Sequence, residues 1–370
     1  MLSPQEVAEG WILLWDGDTM FGWESLGPTN WEIKDGVLLA DSGNSGWLAT
    51  NTQFADYILN LEYRTGPDGN SGVFLRSLKH GKPHETGYEL QICDSHQNYT
   101  TGSLVNHLKA TRIQTSPNQW HRYEIRVQGN HFVVRLNDEK ILDGQETTHR
   151  IGHVGLQYNQ GKKIEFRNIK LKPLSLNPIF DGKSLAGWRK VDRPGKPVPH
   201  DWSVRNGQIH VEKGAGQLET EATFKDFVFQ LDIRTNPPDE YSHPNSGIFF
   251  RGDPGGFWTG YESQIRNEFQ NNDRSQPVDF GTGGLYFYHP ARRVIPNDGE
   301  FFAKTIVARQ RHISVWVNGY LVSDFTDDRT EGTNARQEAR LKQGTISLQA
   351  HDPTTNLDFR NLRITELPNR

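Results

Sequence analysis

The sequence predicts an all-β chain made of two tandem domains of the same sandwich or jelly-roll type. Three observations support this prediction: many short runs in which apolar and polar residues alternate, frequent turn residues, and a long internal repeat. With 36 Gly, 19 Pro and only 2 Met among 370 residues, the composition fits short strands and turns better than packed helices. Each half is long enough to bury its own core.

The repeat sets the predicted domain organisation. Asp-Gly-x-x-x-x-Gly-Trp at residues 16–23 recurs at residues 181–188, and Glu-Phe-Arg-Asn-Ile at residues 165–169 recurs as Asp-Phe-Arg-Asn-Leu at residues 358–362. A repeat of this length indicates tandem domains rather than a solenoid of short units. We therefore predict a first domain over residues 1–172 and a second over residues 177–370.

Individual strands follow from period-two alternation, which is clear at residues 57–64, 123–127 and 132–136. In the second half, the dipeptide Asn318-Gly319 predicts a hairpin between strands at residues 312–317 and 320–325. Ser3-Pro4-Gln5-Glu6 can begin a helix, so a short helical turn is predicted within residues 3–9.

Composition also limits the possible partners and compartment. The formal net charge is −4, with 41 basic and 45 acidic residues interspersed, so we expect no nucleic-acid partner. No apolar stretch approaches the roughly 18 residues of a membrane span. Cys93 is the single cysteine and is predicted to be a small buried residue. We expect a periplasmic or extracellular location if a signal peptide has been removed, and a cytoplasmic one otherwise.

One repeated motif suggests a polar site on a sheet. Asn-Ser-Gly-Ile-Phe-Phe-Arg at residues 245–251 is followed by Gly-Tyr-Glu-Ser-Gln-Ile at residues 260–265, and related copies occupy residues 70–76 and 87–92. Strand alternation places Glu262 and Gln264 on one face, and Arg251 ends the preceding strand. We therefore predict that a carboxylate, an amide and a cation converge there, although a solvated structural Glu–Arg pair is the alternative. The first copy repeats these residues as Glu89, Gln91 and Arg76.

These motifs, together with Thr-Gly-Gly-Leu-Tyr at residues 282–286 and Val-Trp-Val-Asn-Gly at residues 315–319, resemble the 3-keto-disaccharide hydrolase family. This family was formerly described as a domain of unknown function. The resemblance covers residues 10–172 and 177–368 and is closer in the second half. It implies two concanavalin A-like jelly rolls that act on glycosides whose C3 hydroxyl group has been oxidised to a ketone.

The implied chemistry is a β-elimination. A C3 ketone acidifies the C2 hydrogen, so a base can remove it while a general acid protonates the departing C1 oxygen, and water can then add back. Glu262 is expected to be the base or a metal ligand, with Arg251 and Gln264 near the enolate or a hydroxyl group. The sequence has no nucleotide-binding glycine loop, so a separate sugar 3-dehydrogenase is expected to supply the oxidised substrate.

Further candidates lie after these strands. In the second copy, Tyr286, Tyr288 and His289 are candidates for a general acid or for stacking on a sugar. The first copy has Val105, His107 and Leu108 at the corresponding positions, so the first domain is expected to have diverged. His351 beside Asp352 is a candidate acid–base histidine, with a structural hydrogen-bonded histidine as the alternative.

In the first copy, Asp94 with His96 and Glu89 is a possible divalent-metal or acid–base cluster, although loop histidines are common. The full set of predicted catalytic residues is Glu262, Arg251, Tyr286 and His351. The predicted substrate contacts are Gln264, Asn267, Tyr288, His289, Arg76, Glu89, Gln91, Asp94 and His107.

Two other functions remain open at this stage. The first is a non-catalytic tandem carbohydrate-binding protein, because jelly rolls also serve as lectins. The second is an ordinary glycosidase, which needs two carboxylates about 5 to 9 Å apart, and Glu262 has no evident second partner in the sequence. We expect an enzyme to place Glu262 in a deep cleft and a lectin to show a shallow groove with exposed Trp.

Overall fold

Two units of antiparallel sheet make up the protein, in a computed structural model that describes residues 1–195, 197–334 and 337–370. The first unit comprises Met1–Ser3, Trp11–Ser175 and Leu367–Arg370, and the second comprises Pro4–Gly10 and Leu176–Glu366. The short helix α1 (Pro4–Ala8) therefore belongs to the second unit and confirms the predicted helical turn.

The first unit is a sandwich of two sheets. Its larger sheet has the strand order β11-β10-β9-β6-β13-β4-β3, with β1 paired to β13, and its smaller sheet has the order β2-β5-β12-β7-β8. The elements are β1 (Ile12–Leu13), β2 (Trp23–Leu26), β3 (Thr29–Lys34), β4 (Val37–Gly43), β5 (Gly46–Phe54), β6 (Tyr57–Thr65), β7 (Ser71–Ser77), α2 (Pro83–Thr86), β8 (Tyr88–Ile92), β9 (His121–Gln128), β10 (His131–Leu136), β11 (Glu139–Gln145), β12 (Gly152–Tyr158) and β13 (Ile164–Pro173).

The second unit repeats this topology strand for strand. Its larger sheet has the order β16-β17-β26-β19-β22-β23-β24, with β14 paired to β26, and its smaller sheet has the order β15-β18-β25-β20-β21. The strands are β14 (Asn177–Pro178), β15 (Trp188–Asp192), β16 (Asp201–Arg205), β17 (Gln208–Glu212), β18 (Gly216–Thr220), β19 (Phe227–Thr235), β20 (Ser246–Gly252), β21 (Tyr261–Ile265), β22 (Phe302–Arg309), β23 (His312–Val317), β24 (Tyr320–Thr326), β25 (Thr345–Ala350) and β26 (Asn356–Glu366).

The predicted all-β fold of two tandem sandwiches is confirmed. β23 and β24 form the hairpin predicted around Asn318-Gly319, and Asn318 adopts the positive φ of 47° that this turn requires. Within the described residues, the structure holds no helix that is long and apolar enough to cross a membrane.

Alternation along the strands separates the core from the outer face of each smaller sheet. In the second unit, Ile248, Phe250 and Tyr261 enter the core between the sheets. Their neighbours Phe249 and Glu262 form a cross-strand pair that faces outward. Two of the predicted polar residues, Glu262 and Gln264, lie on the outer face of this smaller sheet.

Candidate functional site

An open cleft lies on the outer face of the smaller sheet of the second unit, with an empty volume of about 580 Å³. Three predicted site residues, Glu262, Tyr286 and Tyr288, line it. The remaining lining residues are Phe249, Trp258, Thr259, Gly260, Phe287, Thr333 and Asn334. A carboxylate and two phenols therefore share a cleft with three further aromatic residues and four small or polar ones.

Glu262 and Tyr286 are direct neighbours across a short ladder. Ser263 pairs with Leu285 in an isolated antiparallel bridge, and the Tyr286 N–H donates to the Glu262 carbonyl oxygen at 2.9 Å. Residues directly opposite in an antiparallel pair project on the same face with Cβ atoms about 4.5–5.5 Å apart. The carboxylate of Glu262 and the phenol of Tyr286 therefore emerge side by side into the cleft.

Gly247 provides the space for the Glu262 side chain. A Cβ atom at Gly247 would lie 2.8 Å from Glu262 Cγ, so any other residue there would displace the Glu262 side chain. In the first unit, a Cβ atom at Gly72 would lie 3.0 Å from Glu89 Cγ. The glycine in both copies of the motif thus lets a carboxylate side chain lie over the adjacent strand.

Stacked rings form one wall of the cleft. The Trp258 ring is nearly parallel to that of Phe249, at 6.5 Å and 12°, and to that of His351, at 5.5 Å and 7°. Gln217 on β18 holds the loop that carries Trp258, because its Oε1 accepts from the Trp258 N–H at 2.8 Å and its Nε2 donates to the Gly256 carbonyl oxygen at 3.0 Å. The loop is therefore fixed to the sheet face that it covers.

His351 lies beside the cleft rather than in its lining. Its Nδ1 lies 2.8 Å from Asp352 Oδ2, a pairing of adjacent residues that the bend after β25 makes possible. Because the His351 ring also stacks on Trp258, the histidine contacts the cleft wall through that ring.

Arg251 does not join Glu262 on this face, which corrects the sequence-based expectation. The guanidinium is 1% exposed and donates to the carbonyl oxygens of Lys225, Gln310 and Arg340 and to Asp226 Oδ1. Strict alternation would place Arg251 with Phe249, but the ladder shifts register after Phe249 and Arg251 has a φ of 54°. This bulge turns the side chain into the interior.

Arg76 repeats this arrangement in the first unit. It also has a φ of 54° and donates to the carbonyl oxygens of Ala55, Gly129 and His149 and to Asp56. Neither arginine is placed to contact a substrate. We name this arrangement, one buried guanidinium that binds three carbonyl oxygens and an aspartate, the arginine clamp.

Gln264 and Asn267 hold the loop that follows β21. Gln264 shares the face of Glu262, but its Nε2 donates to Asp279 Oδ2 at 2.9 Å and it is 1% exposed. Asn267 Nδ2 donates to Asp298 Oδ1 at 2.9 Å, and its Oδ1 accepts from Thr282 Oγ1 at 2.5 Å. The structure therefore gives both amides protein partners, and Asn267 lies outside the cleft lining.

Tyr288 and His289 pack toward the edge of the core. Tyr288 lies under the Arg329 guanidinium at 3.9 Å and stacks on Phe325 at 6.1 Å. His289 also stacks on Phe325, and burial lowers its pKa. Tyr288 reaches the cleft, whereas His289 does not line it.

A buried lysine, Lys304, lies beneath the strand that carries Glu262. Its Nζ donates to the carbonyl oxygens of Ser263, at 3.2 Å, and Gln264, at 2.8 Å. Burial lowers the pKa of Lys304 to about 7, and the charge of Glu262 opposes that shift. In the first unit, the Tyr123 hydroxyl makes the corresponding bond to the Gln91 carbonyl oxygen at 2.8 Å.

The first unit keeps the carboxylate but loses the phenol. Glu89 is buried, Gln157 Nε2 donates to its Oε1 at 3.1 Å, and His84 Nδ1 lies 4.0 Å from its Oε2. Burial raises the pKa of Glu89 to about 7. Opposite Glu89 stands Val105, whose N–H donates to the Glu89 carbonyl oxygen at 2.9 Å. The Glu262–Tyr286 pair thus corresponds to Glu89–Val105.

Among the described residues, neither His107 nor Gln91 makes a hydrogen bond or ion pair with Glu89. His107 Nδ1 lies 3.3 Å from Glu146 Oε2, and its ring packs edge-on against Tyr88. Gln91 is buried, and its Oε1 has no hydrogen-bond partner among the described residues.

Asp94 does not form the predicted metal cluster. Its carboxylate accepts from Thr101 Oγ1 at 2.5 Å and from the N–H and hydroxyl of Thr115 at 2.7 Å. His96 Nδ1 accepts from the Tyr99 N–H at 2.9 Å. No group of three or more His, Cys, Asp or Glu able to hold a metal ion occurs in the part of the chain that the structure describes. These loop residues therefore do not fit the proposed metal site.

A second carboxylate, Glu219, lies on the same sheet but far from Glu262. It is fully buried, binds Arg189, and accepts from the Gly255 N–H at 2.8 Å. β18 and β21 are three ladder steps apart in the strand order, or about 14 Å. Because the Glu219 carboxylate is fully buried and paired with Arg189, it is not placed to act as the second carboxylate of a glycosidase.

Sequence reasoning missed most of the cleft walls. Phe249 follows from alternation, and Gly247 inside a strand signals a close approach of another group. Trp258, Thr333 and Asn334 come from loops. The β24–β25 connection spans residues 327–344, whereas the β11–β12 connection spans only residues 146–151. This longer connection in the second copy is the sequence feature that could have pointed to Thr333 and Asn334.

Comparison with known proteins identifies the family. The family model of the 3-keto-α-glucoside-1,2-lyase-like domain matches residues 10–172 and 175–365. A curated 3-keto-disaccharide hydrolase from Bacteroides thetaiotaomicron is 25% identical over 170 residues. That match covers 37% of this chain and only 59% of the relative's length.

Two solved structures are among those to which parts of the chain are similar. A candidate glycosyl hydrolase from Parabacteroides distasonis is 22% identical with a TM-score of 0.43, covering 47% of this chain and 99% of its own. A carbohydrate-binding module from Bacillus subtilis is 15% identical with a TM-score of 0.35, covering 41% of this chain and 95% of its own. On the match of the family model to both halves, the chain belongs to the family of 3-keto-α-glucoside-1,2-lyase-like domains.

Proposed function

We propose that the second unit cleaves 3-keto-glycosides by proton abstraction at C2 and elimination of the C1 substituent. The observation that carries this proposal is the cross-strand pair of Glu262 and Tyr286 in one cleft. Family membership supports a carbohydrate-active role, and the pair supplies a base and an acid at adjacent positions.

The proposed reaction has three steps. The Glu262 carboxylate takes the C2 proton, and the electron pair of that C–H bond forms the enolate of the C3 ketone. The enolate collapses, the C1–O bond breaks, and Tyr286 protonates the departing oxygen. Water can then add across the new C1–C2 double bond, which gives net hydrolysis.

The same geometry limits the roles of other candidates. Arg251 is buried in its arginine clamp, so it does not stabilise the enolate. Thr333 and Asn334 lie at the cleft and can donate to the C3 oxygen. We assign the acid role to Tyr286 rather than Tyr288, because Tyr286 is the cross-strand neighbour of Glu262, whereas Tyr288 lies under the Arg329 guanidinium.

A separate sugar 3-dehydrogenase would supply the ketone in this proposal. A tandem carbohydrate-binding protein remains the alternative function, and the same assay addresses it. The substrate series consists of a p-nitrophenyl 3-keto-glucoside, a 3-keto-disaccharide, and the unoxidised parent of each.

Wild type is expected to cleave only the keto forms, in the presence or absence of a chelator. Glu262→Gln should lower the rate on both keto substrates by at least about 100-fold, whereas the matched variant Glu89→Gln should retain it. Tyr286→Phe should affect the disaccharide far more than the nitrophenyl glycoside, because nitrophenolate departs without a proton.

Two outcomes would contradict the proposal. Equal cleavage of unoxidised parents would indicate an ordinary glycosidase. No cleavage of any substrate, together with measurable glycan binding, would leave a tandem lectin.

A further inference from the structure

Two amide oxygens on the outer face of the second unit lack a hydrogen-bond partner among the described residues. They are Gln349 Oε1 and Asn245 Oδ1, and both atoms are buried. Buried polar atoms are paired in the great majority of cases, so each such atom requires an explanation. Because amide oxygens only accept, the missing partners must be hydrogen-bond donors.

The first unit contains the same two amides with their oxygens satisfied. Asn159 Nδ2 donates to Asn70 Oδ1 at 2.9 Å and to Gln157 Oε1 at 3.1 Å. Asn70 and Gln157 correspond to Asn245 and Gln349 in the repeat. One side-chain amide therefore closes the polar network of the first unit.

The second unit has His351 where the first has Asn159. His351 pairs with Asp352 and stacks on Trp258. The second unit therefore lacks a donor equivalent to Asn159 Nδ2. The Asn245 Nδ2 is fixed by donation to Asp279 Oδ2 at 3.1 Å, which directs its Oδ1 away from Asp279.

Gly247 lies between Gln349 and the Glu262 side chain. Ile248 pairs with Leu348, so Gly247 is next to Gln349 across the ladder. The Glu262 side chain lies directly over Gly247. Gln349 and the Glu262 side chain therefore flank Gly247 on the outer face of the sheet, and Gln349 and Asn245 lie behind the residues that line the cleft.

We propose that Gln349 Oε1 and Asn245 Oδ1 form a hydroxyl-binding subsite for the sugar ring next to Glu262, opened by the replacement of an asparagine with His351. The substrate class is a sugar that presents hydroxyl groups to this floor. A ketone oxygen cannot donate, so the C3 carbonyl group faces away from the subsite. Because the Trp258 ring stacks on that of His351, this proposal requires the Trp258 side chain to turn aside when a sugar reaches the two oxygens.

The sugar's oxidation state in this inference rests on the proposed function, but the binding of hydroxyl groups does not. The test therefore uses calorimetric binding of methyl α-glucoside, which the proposed reaction does not cleave, to the full chain, and binding of its 3-keto form in a Glu262→Gln background, in which turnover is blocked. A failure of keto-glycoside cleavage and a failure of the subsite are then separate results.

The decisive variant is His351→Asn, which restores the donor found in the first unit. His351→Ala removes the imidazole without adding a donor and is the matched control. His351→Asn is expected to raise the melting temperature of the second unit and to weaken binding of both glucosides at least tenfold. His351→Ala should do neither. Asn159→His in the first unit should lower stability, because it leaves Gln157 Oε1 and Asn70 Oδ1 unpaired.

Three results would overturn the proposal. If His351→Asn stabilises the unit and leaves the affinity for both glucosides unchanged, water rather than a sugar donates to the two amide oxygens. Equal effects of His351→Asn and His351→Ala would assign the effect to the imidazole. Absence of glucoside binding by wild type would show that no sugar uses the subsite.

Discussion

Replacing Lys304 with Met tests the electrostatics beneath the cleft. The lysine is fully buried, its Nζ is bonded to backbone carbonyl oxygens of β21, and its pKa is lowered to about 7 from 10.5. Between pH 7 and pH 10.5, the lysine therefore binds fewer protons in the folded state than in the unfolded state. The free energy of unfolding therefore rises with pH across that window.

The magnitude follows from the size of the shift. At about 1.4 kcal/mol per pKa unit, the shift corresponds to about 5 kcal/mol over the whole window and about 2 kcal/mol between pH 7 and pH 9. Burial raises the pKa of Tyr261 to about 12, so stopping at pH 9 keeps this tyrosine out of the measurement.

The assay is urea unfolding of wild type and Lys304→Met at pH 7, 8 and 9, compared as differences so that shared groups cancel. Wild type should gain about 2 kcal/mol relative to the variant from pH 7 to pH 9. Lys304→Tyr, which introduces the residue type of Tyr123 in the first unit, keeps a hydroxyl donor and should follow Lys304→Met in its pH dependence. Parallel pH profiles for wild type and both variants would refute the assignment of a neutralised buried lysine.

Two further predictions concern the first unit and the two arginine clamps. The raised pKa of Glu89, about 7 against 4.5, means that the folded state retains a proton between these values. Relative to Glu89→Gln, wild type should lose about 3 kcal/mol of unfolding free energy as pH rises from 4.5 to 7. The same dependence of unfolding free energy on pH in both proteins would contradict this prediction. Arg251→Met should destabilise the second unit by about 3–5 kcal/mol, since it leaves three carbonyl oxygens without their donor. Arg76→Met should do the same to the first, and calorimetry that shows both variants melting as wild type would count against a structural role.

Much of the fold was predictable because period-two alternation and turn dipeptides act locally. The same rule placed Glu262 and Gln264 on one face, but it failed at Arg251, where a bulge with a positive φ reverses the direction of the side chain. The alternating pattern does not reveal such a bulge, because a single residue in an unusual backbone conformation leaves the pattern of the surrounding residues unchanged.

The rest of the site depends on contacts between distant segments. Trp258 reaches the sheet face because Gln217, on another strand, binds its loop. Lys304 lies beneath β21 because β22, which carries it, packs in the opposite sheet. Neither relationship has a local sequence signal.

The arginine clamp also has a consequence for the order of folding. In the second unit, its bonds to carbonyl oxygens join residues 26, 59 and 89 positions apart in the chain. Contacts of such long sequence separation carry a large loop-closure cost and slow the search for the native topology. We infer that each guanidinium is captured after the folding barrier, once the strands around it are in register. Its contribution then appears mainly as slow unfolding, so the clamp prolongs the lifetime of a folded unit more than it speeds its formation.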